Sequence, residues 1–303
     1  MRVRRLVRMW VVLSLLLIAM AATASLAAAE CTTSFLRTFG GEPNGRLSGP
    51  RDVAIDSKGN AWVADTNHKR VQEFNSSGEY VTQFEVAEAP NAIDLDAEGN
   101  VWLVFETKVR EYSPKGELKL TFGSKGTGNG QFEVATGIAV DSSGNVWVVN
   151  VGAFNRVQKF NSKGEYLSQF GKSGTGNGEF MAPEAIAVDS EGNVLVADTG
   201  NNRYQEFNPA GEFVRKVGSE GTGNGQFKSP RGIVVDSEGK VWVTDSGNGR
   251  IERFSAKGAY LSQFGSAGSV EGRFVEPRGI AVSGTNIWVA DTGNGRVQEL
   301  SCL

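Results

Sequence analysis

Short apolar runs separated by polar turns recur along the chain at nearly constant intervals. Each run has several aliphatic or small residues and ends at an acidic or polar residue. Five copies align almost without gaps, and with a weaker sixth copy the successive spacings are 40, 45, 48, 47 and 47 residues. Repetition at this interval is typical of architectures that stack one supersecondary unit many times. The six copies are Arg51–Asp56, Asn91–Asp96, Thr136–Asp141, Glu184–Asp189, Arg231–Asp236 and Arg278–Ser283.

Each repeat contains four such runs, which predict four short strands, named a to d in order. In the fourth repeat the runs are Ala185–Val188, Asn193–Ala197, Arg203–Phe207 and Glu212–Val217. Between them stand Asp, Asn and Gly, which favour tight turns. Four strands in a repeat of about 40–50 residues predict a propeller blade. The sequence therefore predicts an all-β protein, a six-bladed β-propeller of four-stranded antiparallel blades.

Large side chains recur at matching positions of strands b and c. A ladder of aromatic rings that stacks on sugars is one interpretation of this pattern. Recurrence in nearly every repeat favours the other, in which the rings fill the space between blades. The aromatic residues are Trp62, Trp102, Trp147, Trp242 and Trp288 in strand b, and Phe74, Tyr112, Phe160, Phe207 and Phe254 in strand c.

Two runs carry a specific resemblance to a known family. Val194–Phe207 reads VLVADTGNNRYQEF and Ala290–Gln298 reads ADTGNGRVQ. Both resemble NHL repeats, and the resemblance extends over all six units, which implies a six-bladed propeller similar to those of exported bacterial NHL proteins. It implies little about function, because NHL propellers serve many unrelated roles.

The last repeat lacks a fourth strand, and the start of the repeat region supplies one. Phe35–Gly40 aligns with Tyr260–Gly265 of the fifth repeat, so we expect residues 32–40 to close the last blade. Cys31 and Cys302 then map to the same c–d turn, within reach of a disulfide. The predicted repeats are residues 41–84, 85–122, 123–170, 171–217, 218–264 and 265–303.

Residues 1–29 have the order of a secretory signal peptide: a basic run, an apolar segment and small residues before Glu30. An uncleaved anchor helix is the alternative, although the apolar segment is short for a bilayer span. We therefore expect a secreted protein without a membrane span in residues 30–303, and export favours pairing of its two cysteines. The segment holds four arginines and no acid, so its removal changes the net charge from −3 to −7. Such a balance disfavours nucleic acid as a partner.

The residues just before strand a differ from blade to blade. Three are arginines, Arg51, Arg231 and Arg278, and they belong to blades that are neighbours in a closed ring. They are predicted to form an arc at the channel mouth that binds an anion or carboxylate. The alternative is a set of solvated arginines paired with Asp52 and nearby acids. The other three blades carry Asn91, Thr136 and Glu184 at this position.

Two phenylalanines also interrupt the repeat. Phe105 stands where other blades have Asp or Asn, and Phe154 lies in the b–c turn of blade 3. Together with a shortened loop they suggest an apolar notch on the top face, suited to a peptide or protein. A degenerate blade under relaxed constraint is the other interpretation.

Catalytic motifs are weak. The chain has one histidine, His68, which does not support a histidine-rich zinc site or a Ser-His-Asp triad. Calcium needs about six oxygen ligands, for which Asp52, Asn91, Asp94 and Glu184 are channel candidates without a distinctive spacing.

The main hypothesis is a secreted, non-catalytic, monomeric scaffold without a cofactor, whose top face binds a protein, a peptide or a small anion. The alternative, from resemblance to other six-bladed propellers, is a calcium-dependent lactonase, esterase or lyase-like enzyme.

Overall fold

The computed structural model describes residues 31–41 and 45–302, so the predicted signal peptide lies outside the described residues. Six four-stranded antiparallel sheets form the blades. The fold class predicted from the repeats is confirmed. Strands a to d are Asp52–Ile55, Ala61–Asp65, Arg70–Phe74 and Tyr80–Glu85 in blade 1; Ala92–Leu95, Val101–Val104, Val109–Tyr112 and Leu118–Phe122 in blade 2; and Val134–Val140, Val146–Val151, Arg156–Phe160 and Tyr166–Phe170 in blade 3.

The other three blades repeat this order, except that the first strand of the described region completes the last sheet. Within residues 31–41 and 45–302, four one-turn 3₁₀ helices occupy b–c turns: Thr66–His68, Thr199–Asn201, Ser246–Asn248 and Thr292–Asn294. Two short parallel ladders pair Ser124–Lys125 with Gln131–Phe132 and Lys172–Ser173 with Glu179–Phe180. Strands a to d are Ala185–Val188, Val194–Asp198, Arg203–Phe207 and Phe213–Val217 in blade 4; Pro230–Val235, Val241–Asp245, Arg250–Phe254 and Tyr260–Phe264 in blade 5; and Pro277–Ser283, Asn286–Asp291, Arg296–Cys302 and Thr33–Phe39 in blade 6.

The ring closes where the sequence predicts. Thr33–Phe39 pairs with Arg296–Cys302 in an antiparallel register that begins at Thr33 opposite Cys302. Cys31 and Cys302 form a disulfide with their Cα atoms 5.0 Å apart. The two halves of the closing blade are therefore joined by backbone pairing and by a covalent bond. Among the described residues no helix is long and apolar enough to cross a membrane.

The aromatic residues of strands b and c fill the spaces between blades, as the structural interpretation predicts. The five tryptophans of strand b are buried, and Trp102 and Trp242 are each only 2% exposed. The indole Nε1 of Trp102 also donates to Asp96 in the adjacent a–b turn, at 3.0 Å. Trp62, Trp147 and Trp242 make the same donation to the aspartate of their a–b turns. The rings are thus used within the fold, where they stabilise the blades.

A buried ion pair holds most b–c turns on the top face, the face formed by the b–c and d–a loops. In blade 4, Asp198 is fully buried and accepts hydrogen bonds from Nε of Arg203 at 2.7 Å and from Nε2 of Gln205 at 3.0 Å. Blade 3 has Asn150 instead of the aspartate, and the Nε atom of Arg156 has no hydrogen-bond partner. The same aspartate–arginine pair recurs in blades 1, 5 and 6.

Candidate functional site

The six strands a surround a central channel. Strands a of neighbouring blades contact each other all the way round the ring, and the space between them is about 480 Å³. Because strand a is the innermost strand, each blade contributes four or five consecutive residues to the lining. A volume of this size is in the range of small-molecule sites, about 300–1,000 Å³.

One residue from each blade forms the top end of the channel lining, at the start of strand a. We call these six residues the mouth ring. They are the positions just before strand a at which the residue differs from blade to blade, and the structure brings them together around one opening. The mouth ring consists of Arg51, Asn91, Thr136, Glu184, Arg231 and Arg278.

Glu184 is the partner of two of the three arginines. Its carboxylate lies 3.1 Å from Nη1 of Arg278 and 3.7 Å from Nε of Arg231. Asp52, the acid named in the alternative interpretation, pairs with neither arginine and accepts backbone N–H groups instead. Of the alternative interpretation, the pairing with Asp52 is wrong for these two arginines, but the pairing with a nearby acid is present, because Glu184 reaches them from blade 4 across the mouth.

Arg231 is short of hydrogen bonds. Its Nε and Nη1 atoms are buried without a partner, and so is Nε of Arg278. Buried N–H donors that lose water without gaining an acceptor cost about 1–3 kcal/mol each, more for charged groups. The two guanidinium groups therefore have hydrogen-bonding capacity that Glu184 alone does not use.

The third arginine belongs to a different set of contacts. Arg51 donates from Nη1 to Oδ1 of Asn91 at 2.5 Å, and Nδ2 of Asn91 donates to the carbonyl oxygen of Ala135 at 2.9 Å. Thr136 donates in the same direction, to the carbonyl of Pro183 at 2.9 Å. These bonds tie blades 1 to 4 together at the mouth and hold Arg51 beside the opening.

Positive charge is concentrated at the mouth ring. Burial lowers the pKa of Arg278; the charges of Arg231 and Arg51 lower it further, whereas the carboxylate of Glu184 opposes the change. Three guanidinium groups facing one carboxylate leave an excess of two positive charges in a protein whose overall charge is negative. This local excess favours an anion at the mouth.

Two aspartates lie inside the same channel. Asp52 accepts from the backbone N–H of Val53 at 2.9 Å and of Ile93 at 3.0 Å. Asp94 accepts from the N–H of Leu95 at 2.8 Å and of Val140 at 2.7 Å. Each carboxylate thereby joins its own blade to the next one.

Burial dominates the acidity of both aspartates. It raises the pKa of Asp52 to about 7 and that of Asp94 to about 6, although the backbone hydrogen bonds oppose the rise. Further from the mouth the lining becomes aliphatic, with Ile55, Val188 and Val282 among its residues. The channel is thus cationic at its opening, acidic below it and apolar beyond.

The predicted apolar notch is wrong for one of its two rings. Phe105 is fully buried in the core between blades 1 and 2, where the guanidinium of Arg110 lies 4.7 Å from its ring centroid. Phe154 is 50% exposed in the b–c turn of blade 3. A surface lined by both rings is therefore absent from the described residues, because strand b of blade 2 turns Phe105 inward.

The donors expected of a calcium site do not converge. Asp52, Asn91, Asp94 and Glu184 all line the channel. Nevertheless, in the described part of the chain no group of three or more His, Cys, Asp or Glu residues is arranged to hold a metal ion. Glu184 faces two arginines and both aspartates face backbone amides, so this donor set does not fit a calcium centre of about six oxygen ligands. His68 contacts Asp65 in the b–c turn of blade 1, with Nδ1 2.9 Å from the carboxylate.

Comparison with known proteins identifies the repeat. The NHL repeat model matches residues 47–74, 180–207, 227–254 and 274–300. These segments begin in the d–a loops and end in strand c, and they contain the aspartate–arginine pairs described above. The resemblance to NHL repeats is confirmed for these four units. No curated protein matches the chain.

Several solved structures share the fold at low sequence identity. Virginiamycin B lyase from Staphylococcus aureus, in a catalytically inactive form with quinupristin, is 16% identical, with a TM-score of 0.61 over 90% of this chain and 100% of that one. A gluconolactonase from Xanthomonas campestris is 14% identical, with a TM-score of 0.67 over 85% and 87% of the two chains. A calcium-binding regucalcin from Agrobacterium tumefaciens is 15% identical, with a TM-score of 0.63 over 88% and 94%. At such identities the likeness establishes the fold.

Proposed function

We propose that this six-bladed propeller, which carries NHL repeats, is a non-catalytic binding protein that takes a small carboxylate-bearing ligand into the mouth of its central channel. The sequence predicts a ligand somewhere on the top face. The proposal specifies where it binds, at the channel mouth, and which chemical group is recognised, a carboxylate. The observation that carries it is the incomplete hydrogen bonding of Arg231 and Arg278 at the mouth ring. A carboxylate suits planar guanidinium donors because it accepts two of their N–H groups at once.

The mouth ring already contains a carboxylate that shows how such a ligand would be held. Glu184 lies against Arg278 and Arg231 with its two oxygens directed to different guanidinium groups. A second carboxylate supplied by a ligand would accept from guanidinium N–H groups that Glu184 does not engage and would reduce the repulsion among the three arginines. Binding is thus favoured by both hydrogen bonding and charge.

Substituting the arginines tests the proposal. In calorimetric titrations with butyrate at pH 7 and low salt, Arg231→Ala should weaken binding by about tenfold or more, the loss expected for a charge-assisted contact. The double variant Arg231→Ala, Arg278→Ala should abolish binding.

Arg273→Ala is the matched control. Arg273 is an exposed arginine of the top-face loop before blade 6, so its removal changes the net charge equally without touching the channel. Equal butyrate affinity in wild type and in the double variant, or equal weakening by the control, would contradict the proposal.

An enzymatic function is the second candidate, favoured by the raised pKa values of Asp52 and Asp94 in the channel. Carboxyl groups with a pKa near the working pH suit general acid–base catalysis. Against it, both carboxylates are hydrogen bonded to backbone amides at the junctions between blades. Turnover of gluconolactone or of a streptogramin by the wild type, lost in Asp94→Asn, would replace the binding proposal with catalysis.

The proposal places the protein outside the cell. The disulfide is compatible with an extracellular location, since such bonds persist in oxidising compartments. The proposal includes removal of the predicted signal peptide by cleavage after residue 29. Mass spectrometry of the protein collected from the producing cell's medium should find an N-terminus at Glu30, whereas a retained Met1 in the membrane fraction would contradict it.

A further inference from the structure

The charges of the channel are ordered along its axis, not only around its rim. The mouth ring holds the three arginines, and Asp52 follows Arg51 directly within strand a of blade 1. Asp94 lies three residues further into the channel than Asn91 of the mouth ring. At about 3.3 Å per residue along a strand, the Cα of Asp94 lies about 10 Å along strand a from that of Asn91, which sets the scale of the depth.

A simple anion would use only the upper part of this arrangement. The two aspartates repel a carboxylate that moves deeper, and burial costs free energy for their own ionised forms. Asp94 is a source of the pKa rise of Asp52 through repulsion, so the two charges act on each other within one space. Each of their carboxylate oxygens already accepts one backbone N–H, which leaves one further lone pair per oxygen: too few ligands for calcium, but enough for an ammonium group. Such a cation beside the aspartates would relieve both costs.

We infer that the channel is built for a zwitterion, a linear molecule with a carboxylate at the mouth arginines and an ammonium group at Asp94 and Asp52. This inference rests on the proposed function, which accounts for the carboxylate end of the site. It adds the ammonium end and thereby the chemical class of the ligand. An ω-amino carboxylate or an extended dipeptide has this chemistry.

The length of the site selects among zwitterions. A contact of about 2.8 Å at each end leaves about 4–5 Å of the 10 Å for the separation between the carboxylate group and the ammonium nitrogen. Four-carbon ω-amino acids reach this separation, whereas α-amino acids are too short to engage Asp94. The aliphatic residues beyond, such as Val188 and Val282, end the polar part of the channel.

Three matched probes separate the two halves of the site. We would titrate the full protein with 4-aminobutyrate, butyrate and n-butylamine at pH 7.5, using calorimetry or ligand-observed NMR. The inference predicts that 4-aminobutyrate binds at least about tenfold more tightly than butyrate, the gain of one charge-assisted contact. Asp94→Asn should remove that advantage and leave butyrate binding equal to or tighter than in wild type.

The pH dependence supplies a second readout that needs no variant. Between pH 5.5 and 8 the two aspartates ionise, while butyrate stays anionic and the amine stays protonated. Affinity for 4-aminobutyrate should therefore rise with pH, whereas affinity for butyrate should fall. The other charged groups near these aspartates are Asp96, Glu184 and the three mouth arginines.

The outcomes separate this inference from the proposed function. Equal affinity for butyrate and 4-aminobutyrate, with the same pH trend for both, overturns the zwitterion and leaves the anion site intact. If neither carboxylate binds, both are overturned. Tight binding of n-butylamine that survives Arg231→Ala also overturns the inference, because the site would then recognise a cation alone.

Discussion

At the scale of single residues, one buried acid departs from a pattern that four other blades share. Strand c carries glutamine in four blades, as at Gln205, where Nε2 donates to the buried aspartate of its blade. Blade 5 has Glu252 at this position, fully buried, with its carboxylate 2.9 Å from Nη2 of Arg250. Burial raises the pKa of Glu252 to about 7, Arg250 opposes the rise and Asp245 adds to it.

Glu252→Gln should stabilise the protein at pH 8 but have little effect at pH 5. Because the pKa is higher in the folded state than the usual 4.5, the stability that Glu252 contributes is complete below about pH 4.5 and is lost as pH rises through about 7. A shift of this size corresponds to a difference on the order of 2–3 kcal/mol. Chemical denaturation of both proteins at the two pH values measures it.

The reciprocal variant Gln205→Glu is the control, and it should introduce the same loss of stability at alkaline pH into blade 4. Burial also raises the pKa values of Asp52 and Asp94. Both residues are present in every protein compared, so their contribution to the pH dependence cancels. A Glu252→Gln variant with the same stability difference from wild type at pH 5 and pH 8 would show that Glu252 is not the titrating group.

At the scale of elements, the contact between strands a of blades 6 and 1 depends on the absence of a side chain. A Cβ atom at Gly279 would lie 2.1 Å from Oδ1 of Asp52 and 2.5 Å from its Cα. The N–H of Gly279 also donates to the carbonyl oxygen of Arg51 at 2.9 Å. The close approach of these two strands positions both Arg51 and Asp52 in the channel.

Gly279→Ala should therefore destabilise the fold by about 1–3 kcal/mol through overpacking. It should also weaken binding of 4-aminobutyrate, since Asp52 has to move. Thermal unfolding and calorimetry measure the two effects. Gly41→Ala is the matched control, because a Cβ atom there meets nothing within 4 Å; an equal loss of stability in both variants would mean that the strand contact does not matter.

At the scale of the whole molecule, the ring is held closed by two means, strand pairing and the disulfide. The bridge joins cysteines 271 residues apart, and on the loop-entropy model a closure of this size contributes about 5 kcal/mol.

The double variant Cys31→Ser, Cys302→Ser should lower the melting temperature by several degrees or more, with butyrate affinity unchanged at temperatures where the variant is folded. The bridge lies at the start of strand d and the end of strand c of blade 6, away from the mouth ring. A loss of butyrate binding by the folded double variant would mean that ring closure is part of the site.

The sequence predicts the blades, their number and their closure because these depend on periodic features. Phe35 aligns with Tyr260 and the two cysteines map to one turn, and alignment alone places them correctly. The mouth ring is also predictable, since each member has the same position in its repeat. The partner of Arg278 is not, because Glu184 is 94 residues away and alignment does not say which side chain crosses the opening. The burial of Phe105 is not predictable for a similar reason: an alignment gives its position just after strand b but not the direction of its side chain.

The most direct test of the account is to locate a carboxylate in the channel. Crystals of the protein soaked with 4-bromobutyrate should show anomalous scattering from bromine inside the channel, with the carboxylate against Arg231 and Arg278. The same soak of the Arg231→Ala, Arg278→Ala variant should show none there. Bromine found only on the outer surface of the wild type, or in the channel of both proteins, would contradict the central claim that the mouth arginines form an anion site.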